Sequence, residues 1–375
     1  MADTSARLTD RVSRVRSRMG ELDVDTLLLS VGPELPWLTG YTAMPLERLT
    51  MLVLPRDGEA VLLVPLLEAP RVVERPDVFR LSAWGETEDP IAAVAGLVGR
   101  GSRRVAIGDR TWARFLLLLQ VALPDARFLR AGEVVAPLRA RKDPAEVEAL
   151  RRAALAVDAI AADLQAGAIP LVGRTEADIS ADLSRRIVEA GHQHSNFAIV
   201  AAGANAASPH HEAGDGVVQP GEVLLCDFGG TMADQAGVGY CSDITRCVHL
   251  GEPAPEVTEA YAVLHEAQQA AVAAATVGTS CAEVDRVARR IIGEAGFGDY
   301  FIHRTGHGIG VEEHEDPYIV DGNTTPLAPG HAFSVEPGIY IPGRFGLRLE
   351  DIVVATEAGP DPLNQADHAL AIVDV

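Results

Sequence analysis

Short apolar runs separated by charged or Gly-containing breaks fill the first third of the chain, and this pattern predicts strands alternating with helices. Thr26–Leu29 (TLLL) is a buried-strand candidate. Residues 49–54 and 60–64 are apolar and flank Arg56-Asp57-Gly58-Glu59, whose Asp-Gly pair signals a hairpin turn. Arg104–Ile107 is a further short strand, followed by an apolar helical stretch over residues 112–121. Such alternation favours a sheet covered by helices.

The charged break RARKDP at residues 139–144 divides the chain into two expected domains, 1–138 and 139–375. Asp143 is a good N-cap, Pro144 fits the first helical position, and Glu146 completes a capping box. A long Ala/Leu/Arg-rich helix should then run to about Gln165.

An internal repeat follows. Residues 172–191 (VGRTEADISADLSRRIVEAG) and 277–296 (VGTSCAEVDRVARRIIGEAG) share matching N-caps, Thr175 and Ser280, with acids three residues later. Both copies end in Ala-Gly, at 190–191 and 295–296, and a long helix precedes each, the second spanning about 256–275. Further on, QPG at 219–221 through Asp227-Phe228-Gly229 aligns with APG at 328–330 through Glu336-Pro337-Gly338. Asp227 thereby corresponds to Glu336, and each half offers a second acid on a following strand, Asp243 and Glu350. The expectation is two antiparallel hairpins related by a pseudo-twofold, each directing two carboxylates to a common centre, since same-face side chains on paired strands lie roughly 5 Å apart. The fold class is α/β (α+β).

Charge narrows the partners. A formal net charge of −21 argues against nucleic acid or an anionic membrane, both of which reward basic surfaces. No apolar run reaches membrane-spanning length, and the polar, Arg-bearing first 18 residues lack the apolar core of a secretory signal. Cys226, Cys241, Cys247 and Cys281 form no CxxC pair and read as reduced thiols of a cytoplasmic protein. With 47% hydrophobic residues the chain can bury a large core.

The chemistry concentrates in a few segments. FIHRTGHGIGVEEHEDP, residues 301–317, carries His303, His307 and His314 around a Gly-rich centre. SVEPG at 334–338 and RLED at 348–351 follow it; CDFG at 226–229 and SDITR at 242–246 precede it. One imidazole and four carboxylates on apolar segments suit a pair of hard-to-borderline divalent cations. The GHGIG string at 306–310 lacks the strand–GxGxxG–helix context of a phosphate loop; its glycines would allow close approach of backbone to metal and positive φ.

With these motifs present in this order, the chain resembles the pita-bread metallopeptidases, the family of methionine aminopeptidase, aminopeptidase P and prolidase. The resemblance implies a creatinase-type N-terminal domain and a C-terminal catalytic domain. It implies Asp227, Asp243, His307, Glu336 and Glu350 as metal ligands, with Glu336 also the general base. His303, His314 and His210 match substrate-side histidines, His314 beside the developing oxyanion and the other two on the proline side. His211 reads as a solvated neighbour. Arg348 matches an arginine two residues before the bridging Glu, orienting Glu350 or contacting substrate. Tyr318 is a candidate substrate contact that stands where a prolidase pattern has an Arg. The loop joining Asp227 to Asp243 is several residues longer than in many relatives. The implied activity is hydrolysis of the Xaa-Pro bond of short proline-containing peptides, as an aminopeptidase or dipeptidase, by a water that two divalent cations share and acidify. Oxygen-dominated ligation favours Mn, with Co or Zn as alternatives. A homodimer is expected. The competing readings are a metal-independent creatinase-like C–N hydrolase, which leaves the five ligands unexplained, and a non-catalytic pita-bread binding module. The N-terminal domain weighs against a methionine aminopeptidase.

Overall fold

A computed structural model describes residues 2–99 and 101–374. The chain divides into two compact units, one of residues 1–139 with 234–239, the other of residues 140–233 with 240–375.

The first unit runs α1 (Ala2–Glu21), β1 (Thr26–Leu29), α2 (Glu34–Thr39), β2 (Met51–Pro55), β3 (Val61–Pro65), β4 (Arg80–Trp84), α3 (Pro90–Val98), β5 (Arg104–Ile107), α4 (Ala113–Ala122), β6 (Arg127–Arg130) and α5 (Gly132–Ala140). Its mixed six-stranded sheet has the order β4-β3-β2-β1-β5-β6. The Asp-Gly turn joins β2 and β3 as an antiparallel pair, while β1 and β5 run parallel. Leu28, Val53, Val105 and Ile107 of the strands pack with Val94 of α3 and with Phe115 and Leu119 of α4. Helix α1 is an addition to the elements predicted. Leu8, Val12, Val15 and Met19 form its buried stripe at helical spacing, diluted in the sequence by interleaved arginines. One of these, Arg11, is itself buried, donating to the Trp37 carbonyl at 2.9 Å.

The second unit contains α6 (Pro144–Gln165), α7 (Glu176–Glu189), β7 (His194–Ala202), β8 (Val223–Ala233), β9 (Gly239–Cys241), β10 (Ile244–Leu250), α8 (Pro255–Ala274), α9 (Cys281–Glu294), β11 (Gly306–Gly308), β12 (Glu315–Ile319), β13 (Ala332–Val335), β14 (Gly338–Ile341), β15 (Phe345–Arg348), β16 (Asp351–Thr356), β17 (Gly359–Pro362) and β18 (Ala371–Val373). Asp143 and Glu146 close the expected capping box on α6, a device worth about 1 kcal/mol.

The repeat is visible in three dimensions. Thr175 and Ser280 cap α7 and α9, and both caps bridge to equivalent backbone, Thr175 to Val217 and Ser280 to Pro326. Helices α6 and α7 cover the β18-β10-β8-β7 sheet through Val157, Leu164, Leu183 and Ile187. Helices α8 and α9 cover the β12-β11-β13-β16-β17 sheet through Leu264, Ala271, Val284 and Ile292. Both expected antiparallel pairs form: β8 with β10, placing Asp227 opposite Thr245, and β13 with β16, placing Val335 opposite Asp351. The second pair is interrupted. Pro337 has no N–H to give a ladder, so β13 stops at Val335 and the chain resumes as the separate β14–β15 ribbon.

Candidate metal centre

Each acid is delivered by the end or middle of a strand. Asp227 lies within β8, Asp243 one residue before β10, Glu336 one residue after β13, and Glu350 in the gap joining β15 to β16. An isolated bridge from Thr245 to Glu350 stitches the two halves together at this point. His307 is the central residue of β11. Its flanking glycines are required by packing: a Cβ on Gly306 would lie 1.9 Å from the Ser334 carbonyl oxygen, and one on Gly308 2.3 Å from that of Asp316. Neither glycine has positive φ. The expected conformational reason is therefore replaced by a steric one, close approach of neighbouring strands.

Ligand atoms of Asp243, His307 and Glu350 all lie within 4.8 Å of one another. His307 Nε2 is 3.3 Å from Glu336 Oε1 and 3.8 Å from Asp243 Oδ2. His307 Nδ1 donates to the Gly308 carbonyl at 3.1 Å, which leaves Nε2 a lone pair. Burial, aided by neighbouring His314, holds its pKa down at about 3. The ring is therefore neutral at pH 7, as a metal ligand must be. A lone pair and a carboxylate oxygen 3.3 Å apart are mutually repulsive acceptors unless a cation joins them.

The acids point the same way. Burial, then repulsion from Glu350, Asp227 and Glu336, raises the Asp243 pKa well above the carboxylate range. Burial, then Glu336 and Asp227, does the same to Glu350. Burial pushes Glu336 to about 7, against the pull of Arg348. One oxygen each of Asp227 and Asp243, Oδ1, is buried with no hydrogen-bond partner. Orphaned oxygens amid like charges are costly in a protein interior. Four carboxylates and one neutral imidazole therefore fit divalent cations, and the residues present are the donor set such ions take.

A supporting network surrounds them. Arg348, 2% exposed, donates to Asp227 Oδ2, to Thr245 Oγ1 at 3.1 Å, to Tyr340 OH at 2.9 Å and to the Pro209 carbonyl at 3.2 Å. Thr245 in turn donates to Glu350 Oε2 at 2.6 Å. Tyr340 OH donates to His303 Nε2 at 2.8 Å, while His303 Nδ1 donates to the Arg304 carbonyl at 2.7 Å. Ser334 Oγ accepts from the His307 amide and donates to Glu336 Oε1, both at 3.0 Å. Thr245, Tyr340 and Ser334 were not among the residues expected at the site. Two of them carried a signal: Thr245 and Ser334 stand two residues from Asp243 and Glu336, on the same strand face. Asp351, the alternative partner weighed for Arg348, pairs with Arg246 at 2.8 Å and Gln268 at 3.0 Å instead.

These groups open onto a cavity of about 480 Å³, within the roughly 300–1,000 Å³ usual for small-molecule sites. All five expected ligands line it, together with His210, His303, His314 and Arg348. The His307 and His314 rings lie with centroids 3.8 Å apart. His210 is the member of its pair that reaches the cavity. His211 is not solvated as expected; its Nε2 meets the buried Glu176 carboxylate at 2.8 Å. Tyr318 is not among the lining residues; Arg304, which does line the cavity, lies over its ring at 4.5 Å.

Comparisons with known proteins identify both parts of the chain. The sequence matches the Creatinase/Prolidase N-terminal domain over residues 11–141 and Metallopeptidase family M24 over residues 147–357. It is similar to the probable dipeptidase PepE of Mycobacterium tuberculosis, 41% identical over 93% of this chain and 92% of that one. It is similar to the Xaa-Pro dipeptidase of Lactobacillus helveticus, 38% identical over 90% of this chain and 92% of that one. The crystal structure of dipeptidase PepE from Mycobacterium ulcerans superposes with a TM-score of 0.91 at 40% identity, covering 99% of both chains. A duplicated α/β core, carboxylates supplied by both of its halves and a creatinase-type front domain thus share one explanation: the chain belongs to metallopeptidase family M24.

Proposed function

We propose that the protein hydrolyses the Xaa-Pro bond at the N-terminus of short peptides, with two divalent cations held by Asp227, Asp243, His307, Glu336 and Glu350. The observation that carries this reading is the convergence of those side chains on one cavity with two buried carboxylate oxygens left unbonded. The dipeptidase names of the relatives support it. When bound, the cations would acidify a water and polarise the scissile carbonyl. Glu336, buried in the cavity wall among the other acids, would take a proton from the water and return it towards the leaving nitrogen. His314, in the cavity lining, would hold the developing oxyanion, and His303 and His210 would wall the proline ring. An imide nitrogen offers no N–H, so proline recognition rests on shape. Arg348, whose donors are engaged by the protein, orients Asp227 directly and Glu350 through Thr245, a bracing role rather than a substrate contact. A metal-free or non-catalytic reading leaves both orphan oxygens unexplained.

Metal analysis of purified protein, with rates on Ala-Pro and Ala-Pro-Ala under Mn, Co and Zn, tests the proposal. Bound divalent metal and cleavage before proline are expected; neither metal nor cleavage would sink it. The reading extends to a cytoplasmic homodimer. Four free, buried cysteines suit a reducing compartment, and the exposed Leu117, Leu118 and Val121 of α4 are apolar side chains available to an interface. Sedimentation analysis would read the assembly. Among the described residues no helix is long and apolar enough to cross a membrane.

A further inference from the structure

We propose that Lys142, through its buried ion pair with Glu315, is a positioning residue that holds His314 in place for the reaction; this rests on the Xaa-Pro hydrolase reading. Lys142 stands two residues before α6, and Glu315 opens β12. Neither is among the residues lining the cavity. Lys142 Nζ donates to Glu315 Oε1 at 2.6 Å, and the two side chains are 1% and 7% exposed. The surrounding backbone is shaped to admit this pair. A Cβ on Gly310, the last glycine of the GHGIG string, would lie 2.7 Å from Glu315 Oε1 and 3.0 Å from Lys142 Cε. At the other end, the Lys142 amide donates to the Gly330 carbonyl at 2.8 Å. A Cβ on Gly330 would lie 2.5 Å from the Lys142 carbonyl oxygen. The lysine is therefore fixed by main chain at its root and by a carboxylate at its tip.

Stability does not account for such a pair. Desolvating two charges offsets most of their attraction, and apolar residues of similar volume serve a buried site as well or better. What the pair supplies is geometry, at a place where the backbone leaves it open. Residues 310–314, which join β11 to β12, run as a series of bends with neither helix nor strand. The β11–β12 ladder also shifts register between Gly306 and Gly308, on either side of His307. A ladder broken there does not by itself fix where β12 begins. Glu315 is the residue opposite Gly308, so anchoring it fixes the end of the irregular segment. The residue just before it is His314, which lines the cavity with its ring centroid 3.8 Å from that of His307.

The experiment uses the full-length, Mn-loaded protein with Ala-Pro as substrate. Lys142→Met alone leaves a buried carboxylate without its cation and should lower the melting temperature by about 5 °C or more. The double variant Lys142→Met/Glu315→Gln removes both charges and should melt within about 3 °C of wild type. It should nevertheless lower kcat about tenfold or more and leave KM within about threefold, because His314 would act on the oxyanion of the transition state. On a His314→Ala background the same two substitutions should lower kcat by less than about twofold further, the non-additivity of residues that act through one group. A double variant with wild-type kcat, a loss confined to KM, losses that multiply, or a melting temperature far below wild type overturns the inference while leaving the hydrolase reading intact. If wild type does not cleave Ala-Pro, the hydrolase reading fails by itself, and imidazole NMR of metal-free protein carrying isotope-labelled histidine decides about Lys142. The His314 signal is identified by its loss in His314→Ala. Its displacement in the double variant, with the His192 and His249 signals unmoved, supports the inference, and an unmoved His314 signal overturns it.

Discussion

The Asp243 carboxylate is 4% exposed, has one oxygen without a hydrogen bond, and stands among Glu350, Asp227 and Glu336. Burial and these neighbours penalise its charged form, so replacing it with the neutral isostere acts in opposite directions on stability and chemistry. In EDTA at pH 7, Asp243→Asn is expected to raise the melting temperature by about 2–4 °C, the equivalent of about 1 kcal/mol. In Mn it is expected to lower kcat by about 10³-fold or more. Scanning calorimetry alongside a peptidase assay reads both, and a destabilised apo variant would contradict the electrostatic account. His331 makes a residue-scale case away from the centre. Its Nδ1 accepts the Ala328 amide at 3.2 Å, and burial, with Lys142 and Arg141 nearby, holds its pKa down at about 4 against an ordinary 6.5. A depressed histidine binds its proton in the unfolded state first. Its contribution is therefore undiminished above pH 6.5 and is lost as pH falls from 6.5 towards about 4, by at most about 3 kcal/mol. His331→Asn keeps an acceptor without a titration, so urea midpoints measured from pH 7 to 4.5 should slope less steeply than in wild type. An unaltered slope would remove His331 from the acid response.

At the scale of elements, α7 does more than cover a sheet. Glu176, the first residue of that helix, accepts from the Ala202 amide at 2.8 Å, Asn205 Nδ2 at 3.0 Å and His211 Nε2 at 2.8 Å. It thereby fixes the segment that presents Pro209 and His210 to the cavity. Glu176→Ala should cost about 2–3 kcal/mol and raise the peptide KM, with Glu176→Gln intermediate; denaturant midpoints and KM values check this, and an unchanged KM would show that the loop is held by other contacts. Much at this scale was legible in the chain. Strands β1 and β5 are short apolar runs bounded by charge, and the α6 capping box is a local pattern whose partners are three residues apart. Such features depend on neighbours in sequence. Glu176 pairing with His211, Arg348 reaching Asp227 and Tyr340 linking Arg348 to His303 depend on folding and leave no local periodicity. The Gly306 and Gly308 positions were recognisable as special, but the reason for them was not, because the colliding carbonyls belong to other strands. Helix α1 was hidden differently: arginines, one of them buried, outweigh its apolar stripe.

At the scale of the whole molecule, the five ligand candidates divide across the duplication. Asp227 and Asp243 come from the first copy, His307, Glu336 and Glu350 from the second, and the Thr245–Glu350 bridge is the seam. Neither copy by itself holds more than part of the donor set. If a half-length ancestor existed, it would have needed its twin to trap ions. A chain severed in the short stretch joining β10 to α8, residues 251–254, should accordingly yield fragments that are individually indifferent to Mn and recover affinity only when mixed.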